Sequence, residues 1–435
     1  MRKLTIVGTL IAAVAALTVV ASSYGGSSAP AKATGAGTLP SSACGSVFYK
    51  GGGKPQYLIA SDLPLQGAGR AQPISINKAI QYVLEKEFKF KPGGKYTVGF
   101  QACDDATAQT GGWDSAKCSS NGRAYAAEKT LRAVIGTFNS GCAKLILPLV
   151  NRAPGGAIAM LSPANTAIGL THKKTPGSDP GEPQKYYPTG VRNYVRVATS
   201  DDYQGPAGAA LLKQLKKTSV YILHDNQTFG KGVALAFQGK AKALGISVKG
   251  FEAWDSKAAS YSATGERIKG TGAVSVYLGG IVCNNGAKLI KDIRAAVGNN
   301  VTFVGPDGFT PFSATAQAGS AAEGMYISVA GLPIERLGPT GRKFLAAFRK
   351  YQKKAQIDPY AVYGAQLAQI ALAAIGRSDG SRAGVVKEVF KTNLTDGIMG
   401  KVRFDKNGDI LAKAISFYQM KGGNGIYKTV FLGKI

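Results

Sequence analysis

Residues 219–237 read SVYILHDNQTFGKGVALAF, and this stretch decides the fold class. SVYILHD (219–225) is a short, nearly continuous run of apolar and β-branched residues, the length of one strand and too short for a helix. Asn226-Gln227-Thr228 then breaks the run, and a helical pattern starts at about Gly230. A strand apolar on both faces that feeds a helix is the repeating unit of a parallel sheet covered on both sides.

The unit recurs in both directions. Downstream, ISVKGFEAW (246–254), VSVYLGG (274–280) and VTFVG (301–305) continue the series. Upstream, YLIASD (57–62) leads into a helix over Pro73–Lys89, and YTVGFQ (96–101) precedes one over Arg123–Leu131. AVIG (133–136) is followed by a helix from about Ser140, and AIAML (157–161) by a polar insertion at 172–192. NYVRV (193–197) then opens onto a helix over Gly205–Leu215. Two such series in one chain predict an α/β protein of two lobes. The last hundred residues change texture, with helices expected over Thr340–Lys354, Pro359–Arg377 and Ala383–Lys391. Strands KVRFD (401–405), AISFYQM (414–420) and IYKTVFL (426–432) follow, with Asn407-Gly408 as a hairpin turn between the first two. FDKNGD (404–409) has the composition of a calcium loop, but its glycine is misplaced and no twelfth-position glutamate follows, so it reads as a turn.

The ends and the bulk composition bound the class. The chain has 435 residues, enough for two cores, with 45% hydrophobic and 18% charged residues, the mix of a globular protein. Arg2 and Lys3, the apolar run Leu4–Ala21, and small residues at Ala21, Ser22 and Ser23 have the order of a secretory signal, expected over 1–22. The run is also near the length of a spanning helix, which leaves an uncleaved anchor open. Residues 23–54, rich in Ser, Gly, Ala and Pro, read as a flexible tail. Five cysteines fit an oxidising compartment: Cys44, Cys103, Cys118, Cys142 and Cys283. A Cys103–Cys118 disulfide is expected, closing the polar loop between them, and the odd count leaves at least one thiol unpaired within the chain.

Several function classes drop out. The net charge of +28 is spread along the chain without an arginine-rich arm or a nucleic-acid motif, so it reads as a solvated cationic surface. There is no CxxC pair and there are only two histidines, His172 and His224, which argues against a metal site. Walker A, GxSxG, HExxH and GxGxxG signatures are absent, so neither catalysis nor a cofactor is expected. Polar residues gather instead at the strand-to-helix turns FNSG (138–141), SPANT (162–166), DNQTFG (225–230) and GPDGF (305–309). Ligands of open parallel sheets bind beyond the carboxyl ends of the strands, which is where these turns fall. Hydroxyls and helix-start N–H groups suit a carboxylate, and Asp307 suits an ammonium group.

The ensemble resembles a family. IASDLPLQG, GFQACDDATAQTGGWDSAKC, VIGTFNSGCA, MLSPANTAIGLT, HDNQTFGKGVA, YLGGIVCNNGAKLIKDIR and VGPDGFT occur here in the order found in leucine/isoleucine/valine-binding proteins. Those are the type I periplasmic binding proteins of branched-chain amino-acid ABC importers, and the likeness covers roughly 56–432. The resemblance implies a two-lobe fold with three crossovers at the hinge. Lobe one would take 55–198 plus 331–399, and lobe two 199–330 plus 400–435. It implies that Ser140 and Thr166, with backbone at Ala164, contact a ligand carboxylate. Phe229 would lie against the ligand, and Asp307 would pair with its α-ammonium. It implies an exported, monomeric receptor that takes an amino acid and meets the membrane subunits of an ABC importer. Phe229 stands where the family commonly has tyrosine, and Asp307 where the leucine binders usually have glutamate. The family also includes binders of amides and aromatic acids, and a tethered sensory domain is a further use of the same fold.

Overall fold

The computed structural model describes residues 37–173 and 176–435; the expected signal over 1–22 lies outside the described residues. The first series forms β1 (Tyr57–Leu63), α1 (Ala71–Tyr82), β2 (Val98–Asp104), α2 (Ser115–Ala127), β3 (Leu131–Gly136), α3 (Ser140–Asn151), β4 (Ala159–Ser162) and β5 (Tyr194–Arg196). Its strands make a parallel sheet in the order β2-β1-β3-β4-β5. Alternation along β1 explains why both faces need cover. Ile59 and Leu63 join one core with α1, while Leu58 and Ala60 join another with Tyr125 of α2 and Ile146 of α3.

The second series forms α4 (Asp201–Gln214), β6 (Ser219–His224), α5 (Thr228–Ala243), β7 (Ser247–Ala253), α6 (Ser262–Gly270), β8 (Ser275–Gly279), α7 (Gly286–Val297), β9 (Thr302–Gly305), α8 (Phe312–Thr315) and β10 (Tyr326–Val329). The stretch quoted first divides its side chains as the parallel-sheet reading requires. Val220 and Ile222 face α4 and α5, whereas Tyr221 and Leu223 share a core with Leu289 and Ile293 of α7. The tail gives α9 (Pro339–Gln352), α10 (Pro359–Arg377), α11 (Arg382–Phe390), β11 (Asn393–Gly397), β12 (Gly400–Arg403), β13 (Ala414–Lys421) and β14 (Asn424–Leu432). β13 and β14 complete a seven-stranded sheet, β14-β13-β10-β9-β8-β6-β7, in which only their pairings are antiparallel. α10 is apolar almost all round and is buried against α1 and the first sheet. The chain therefore crosses between the two sheets three times, at 197–200, 330–338 and 404–413. This is the expected two-lobe type I architecture. No helix among the described residues is long and apolar enough to cross a membrane.

Several expectations are corrected. The expected Cys103–Cys118 bridge does not form: Cys44 pairs with Cys103, and Cys118 with Cys142. The reason is register. Cys44 and Phe48 lie opposite Cys103 and Phe100 in antiparallel bridges along the outer edge of β2, which brings Cys44 within 3.9 Å (Cα–Cα) of Cys103. Leu39 and Cys44, read as part of a flexible tail, are buried there. α2 begins at Ser115, two turns before the expected Arg123, because Asp114 caps it through Lys117 N–H at 2.9 Å. Its early polar turns lack apolar periodicity and are held by contacts far away in sequence. The Cys118 disulfide is one, and Asn121 donating to Asp62 at 2.8 Å is another. Asn407-Gly408 is a turn, closed by an antiparallel Phe404–Ile410 bridge, yet it does not join two strands of one sheet. β12 pairs with β11, and Ile398, Met399 and Val402 enter the core beneath the first sheet. The return to the second sheet thus comes after Arg403, a few residues later than expected.

Candidate functional site

Each βα turn quoted above ends at the same place, the gap between the carboxyl ends of the two sheets. After β3 come Phe138, Asn139 and Ser140; after β4, Ala164; after β6, Phe229; after β8, Ile281; after β9, Asp307 and Gly308. These residues, with Tyr360 from the first turn of α10, line a cavity of about 30 Å³. Ser140, Ala164, Phe229 and Asp307 are therefore brought together. Thr166 is fully buried but lies behind the wall, where its carbonyl accepts from Asp201 N–H at 2.8 Å and so seats α4.

Two polar groups of the first lobe already have partners. The Ser140 hydroxyl accepts from Ala167 N–H at 3.3 Å, and Ala164 N–H donates to Ser162 Oγ at 3.2 Å. On the opposite wall, the Phe229 ring packs on Gly308: a Cβ at position 308 would come within 2.9 Å of the ring. Asp307 is the charged centre. Its backbone N–H donates to Gln204 at 3.0 Å, and its Oδ2 accepts from the Tyr360 hydroxyl across the cleft. Its Oδ1 is buried without a hydrogen-bond partner among the described residues. Burial pushes the Asp307 carboxyl up to about 6, against hydrogen bonds led by the Tyr360 hydroxyl that hold it down. Asp201 behind it is pushed up to about 8 by burial and then by the neighbouring Asp307. Both shifts disfavour a second negative charge here, and the larger rise at Asp201 leaves Asp307 as the acid that ionises first at this wall.

Sequence reasoning missed Tyr360 and also Trp113, whose indole Nε1 donates from the first lobe to Gln227 of the second at 3.2 Å. Asp358 capping Tyr360 N–H at 2.8 Å, with Pro359 after it, marks the start of α10. Nothing local indicates that the third residue of that sequence reaches a turn in the other lobe. Asp225 and His224, by contrast, hold the turn itself. Asp225 accepts from Gln227 N–H, Ile281 N–H and Asn284 Nδ2, and His224 Nδ1 accepts from Asn226 N–H. His172 lies elsewhere, 2.6 Å from Asp409, which also pairs with the fully buried Arg196 at 2.7 Å. The guanidinium supplies the positive charge that a metal ion would supply to Asp409.

Two α/β lobes, three crossings and a polar-ended cavity between the strand ends define a type I, cleft-binding receptor. The profile of the periplasmic binding protein family matches residues 104–424, and the chain belongs to that family. The chain is 26% identical over 264 residues to the leucine-specific-binding protein of Salmonella typhimurium, a match covering 60% of this chain. It spans 66% of that relative, just under two thirds of its length. Its fold is similar to a leucine binding protein from Thermotoga maritima, at 22% identity and a TM-score of 0.73. That likeness covers 86% of this chain and 98% of the other. It is also similar to an R. palustris ABC transporter solute binding protein in complex with benzoate, at 17% identity and a TM-score of 0.69 over 86% and 95% of the chains.

Proposed function

We propose that this protein is an exported solute-binding protein that captures a small amino acid with an apolar side chain and delivers it to an ABC importer. The observation that carries this reading is Asp307, which lines the cleft cavity and whose buried Oδ1 has no hydrogen-bond partner among the described residues. A buried carboxylate oxygen without a donor is costly, and an α-ammonium group supplies the donor and the countercharge together. The α3 start at Ser140, with no acidic residue in its first turn, offers the opposite end for the ligand carboxylate. Lobe one takes 55–198 plus 331–403 and lobe two 199–330 plus 404–435, with the last boundary after β12 rather than at 399/400, and residues 1–22 act as the export signal. The receptor works as a monomer by closing on its ligand. Contacts from both lobes give the closed form the higher affinity, so ligand shifts the population toward closure.

The benzoate complex in the same fold class supports the second reading, an aromatic acid without an amine. Calorimetry with leucine, isoleucine, valine and benzoate decides between them. The amino-acid reading expects saturable binding of at least one of the first three and a smaller radius of gyration on its addition. Saturation by benzoate alone, or chemical turnover of the bound compound, overturns it.

A further inference from the structure

The five strands of the first sheet run parallel with their carboxyl ends at the cleft, so the segments leading into them gather at the opposite pole of the lobe. Those segments, 49–56, 88–97, 128–130, 152–158 and 187–193, carry eight lysines and arginines against one acid, Glu128. At the cleft end, the turns after β2 and β3 (105–114 and 137–139) carry two acids and no lysine or arginine. Charge that looks evenly spread along the sequence is thus concentrated in space, because each parallel strand delivers one segment to the same end.

Side-chain contacts join these segments into one surface. Phe90 is buried against the rings of Phe48 and Tyr49, at 5.4 and 5.5 Å, and leaves Lys89 and Lys91 exposed on either side. Lys95 donates to the Ser378 carbonyl at 3.1 Å, and Arg132 donates to the Gly380 carbonyl at 2.6 Å from over the Tyr57 ring. Arg382 reaches the carbonyls of Glu128 and Pro154, each at 2.6 Å. Lys54, Lys89, Lys91, Lys129 and Arg152 are exposed and make no ion pair among the described residues. Tyr49, Phe88 and Tyr96 lie half-buried among them. The first described residue, Gly37, sits against the Glu128 carboxylate, where a Cβ would collide with it. The sequence before it, with its apolar run Leu4–Ala21, is therefore joined to the fold at this same pole.

We infer that this pole is a docking surface for an anionic phospholipid membrane. Lysine stems carry their ammonium groups to lipid phosphates, and aromatic rings suit the membrane–water interface. The apolar run joined here favours a membrane over a soluble polyanion. Held this way, the receptor turns its cleft away from the lipid and toward arriving solute. The inference rests on export of the protein and not on which solute the cleft takes.

The test is co-sedimentation of the purified exported protein with vesicles of phosphatidylglycerol and phosphatidylcholine in equal parts, or of phosphatidylcholine alone. Binding to the mixed vesicles alone is expected. It should weaken at least tenfold as salt rises from about 0.1 to about 1 M, which shortens the Debye length from about 10 to about 3 Å. The combined variant Lys54→Glu, Lys89→Glu, Lys91→Glu, Lys129→Glu is expected to weaken binding at least tenfold with the thermal midpoint retained. Lys54→Ala and Lys89→Ala, which remove single exposed charges, are each expected to weaken it about fivefold. The control Lys216→Glu, Lys242→Glu, Lys249→Glu, Lys257→Glu has the same net charge, alters exposed positions of the second lobe, and is expected to stay within threefold of wild type. Equal losses in the two combined variants assign the binding to net charge and overturn the inference. It also falls if both vesicle types bind equally, if neither alanine variant changes binding, or if soluble polyphosphate binds and the mixed vesicles do not.

Discussion

Burial moves the Asp307 carboxyl up to about 6 while the Tyr360 hydroxyl opposes that rise, so mild acidification protonates it. A proton and a ligand ammonium compete for the same oxygen. Amino-acid affinity is therefore expected to be flat above pH 7 and to fall by roughly tenfold per pH unit below 6. Calorimetry between pH 5 and 8 reads this directly. Tyr360→Phe removes the donor that favours the charged form, so the midpoint of that profile is expected to move to higher pH. Asp307→Asn is expected to cost about 2–5 kcal/mol in binding, with the thermal midpoint retained. The turn carrying Asp307 was legible because GPDG follows a strand, and strand ends are where such sheets bind ligands. Tyr360 was not, because it lies 53 residues away in a helix whose sequence announces only burial.

At the scale of elements, the cysteine pairing shows what the chain conceals. Cys103 and Cys118 flank an evident polar loop, which suggests joining them. Cys103 belongs to an edge strand paired by a segment with little strand character, and Cys118 lies in a helix with no apolar stripe. Both pairings are set by tertiary register, whereas the strands of both sheets were visible as apolar runs. The Cys44–Cys103 link spans 59 residues and the Cys118–Cys142 link 24. In the loop-entropy estimate they contribute about 4 and about 3.5 kcal/mol. Non-reducing peptide mapping is expected to recover these two pairs with Cys283 free. The double variant Cys118→Ser, Cys142→Ser is expected to lose thermal stability and also to weaken the Trp113 contact, read as a shift in indole emission.

For the whole molecule, the third crossing is fastened by charge. Asp409 in the 404–413 segment accepts from Arg196 of β5 and from His172, while Arg196 also donates to the Ala167 carbonyl at 2.8 Å. The Asp409 hydrogen bond raises the His172 pKa, against partial burial. A raised histidine stabilises the fold fully below its unfolded value of about 6.5, and that contribution is lost as pH rises through the folded value. Burial opposes it, yet Arg196 and then His172 hold the Asp409 carboxyl well below the usual range. That contribution is present above the unfolded carboxylate value and lost as pH falls. Urea unfolding of the wild type is expected to show stability declining as pH rises above about 6.5, and His172→Gln is expected to flatten that decline. An unchanged slope in the variant would assign the decline to other groups.

The covalent tie at Cys44 also has a mechanical consequence. A pull applied to the chain upstream of it passes through sulfur into the end of β2 at Cys103. Everything between the two cysteines, including β1 and α1, is bypassed and cannot be drawn out as slack. The segment Leu39–Phe48 could otherwise be unzipped from the sheet edge one bridge at a time. With the bond in place, tension reaches the body of the first lobe at one point, and the strand carrying it is already clamped by β1 along seven residue pairs.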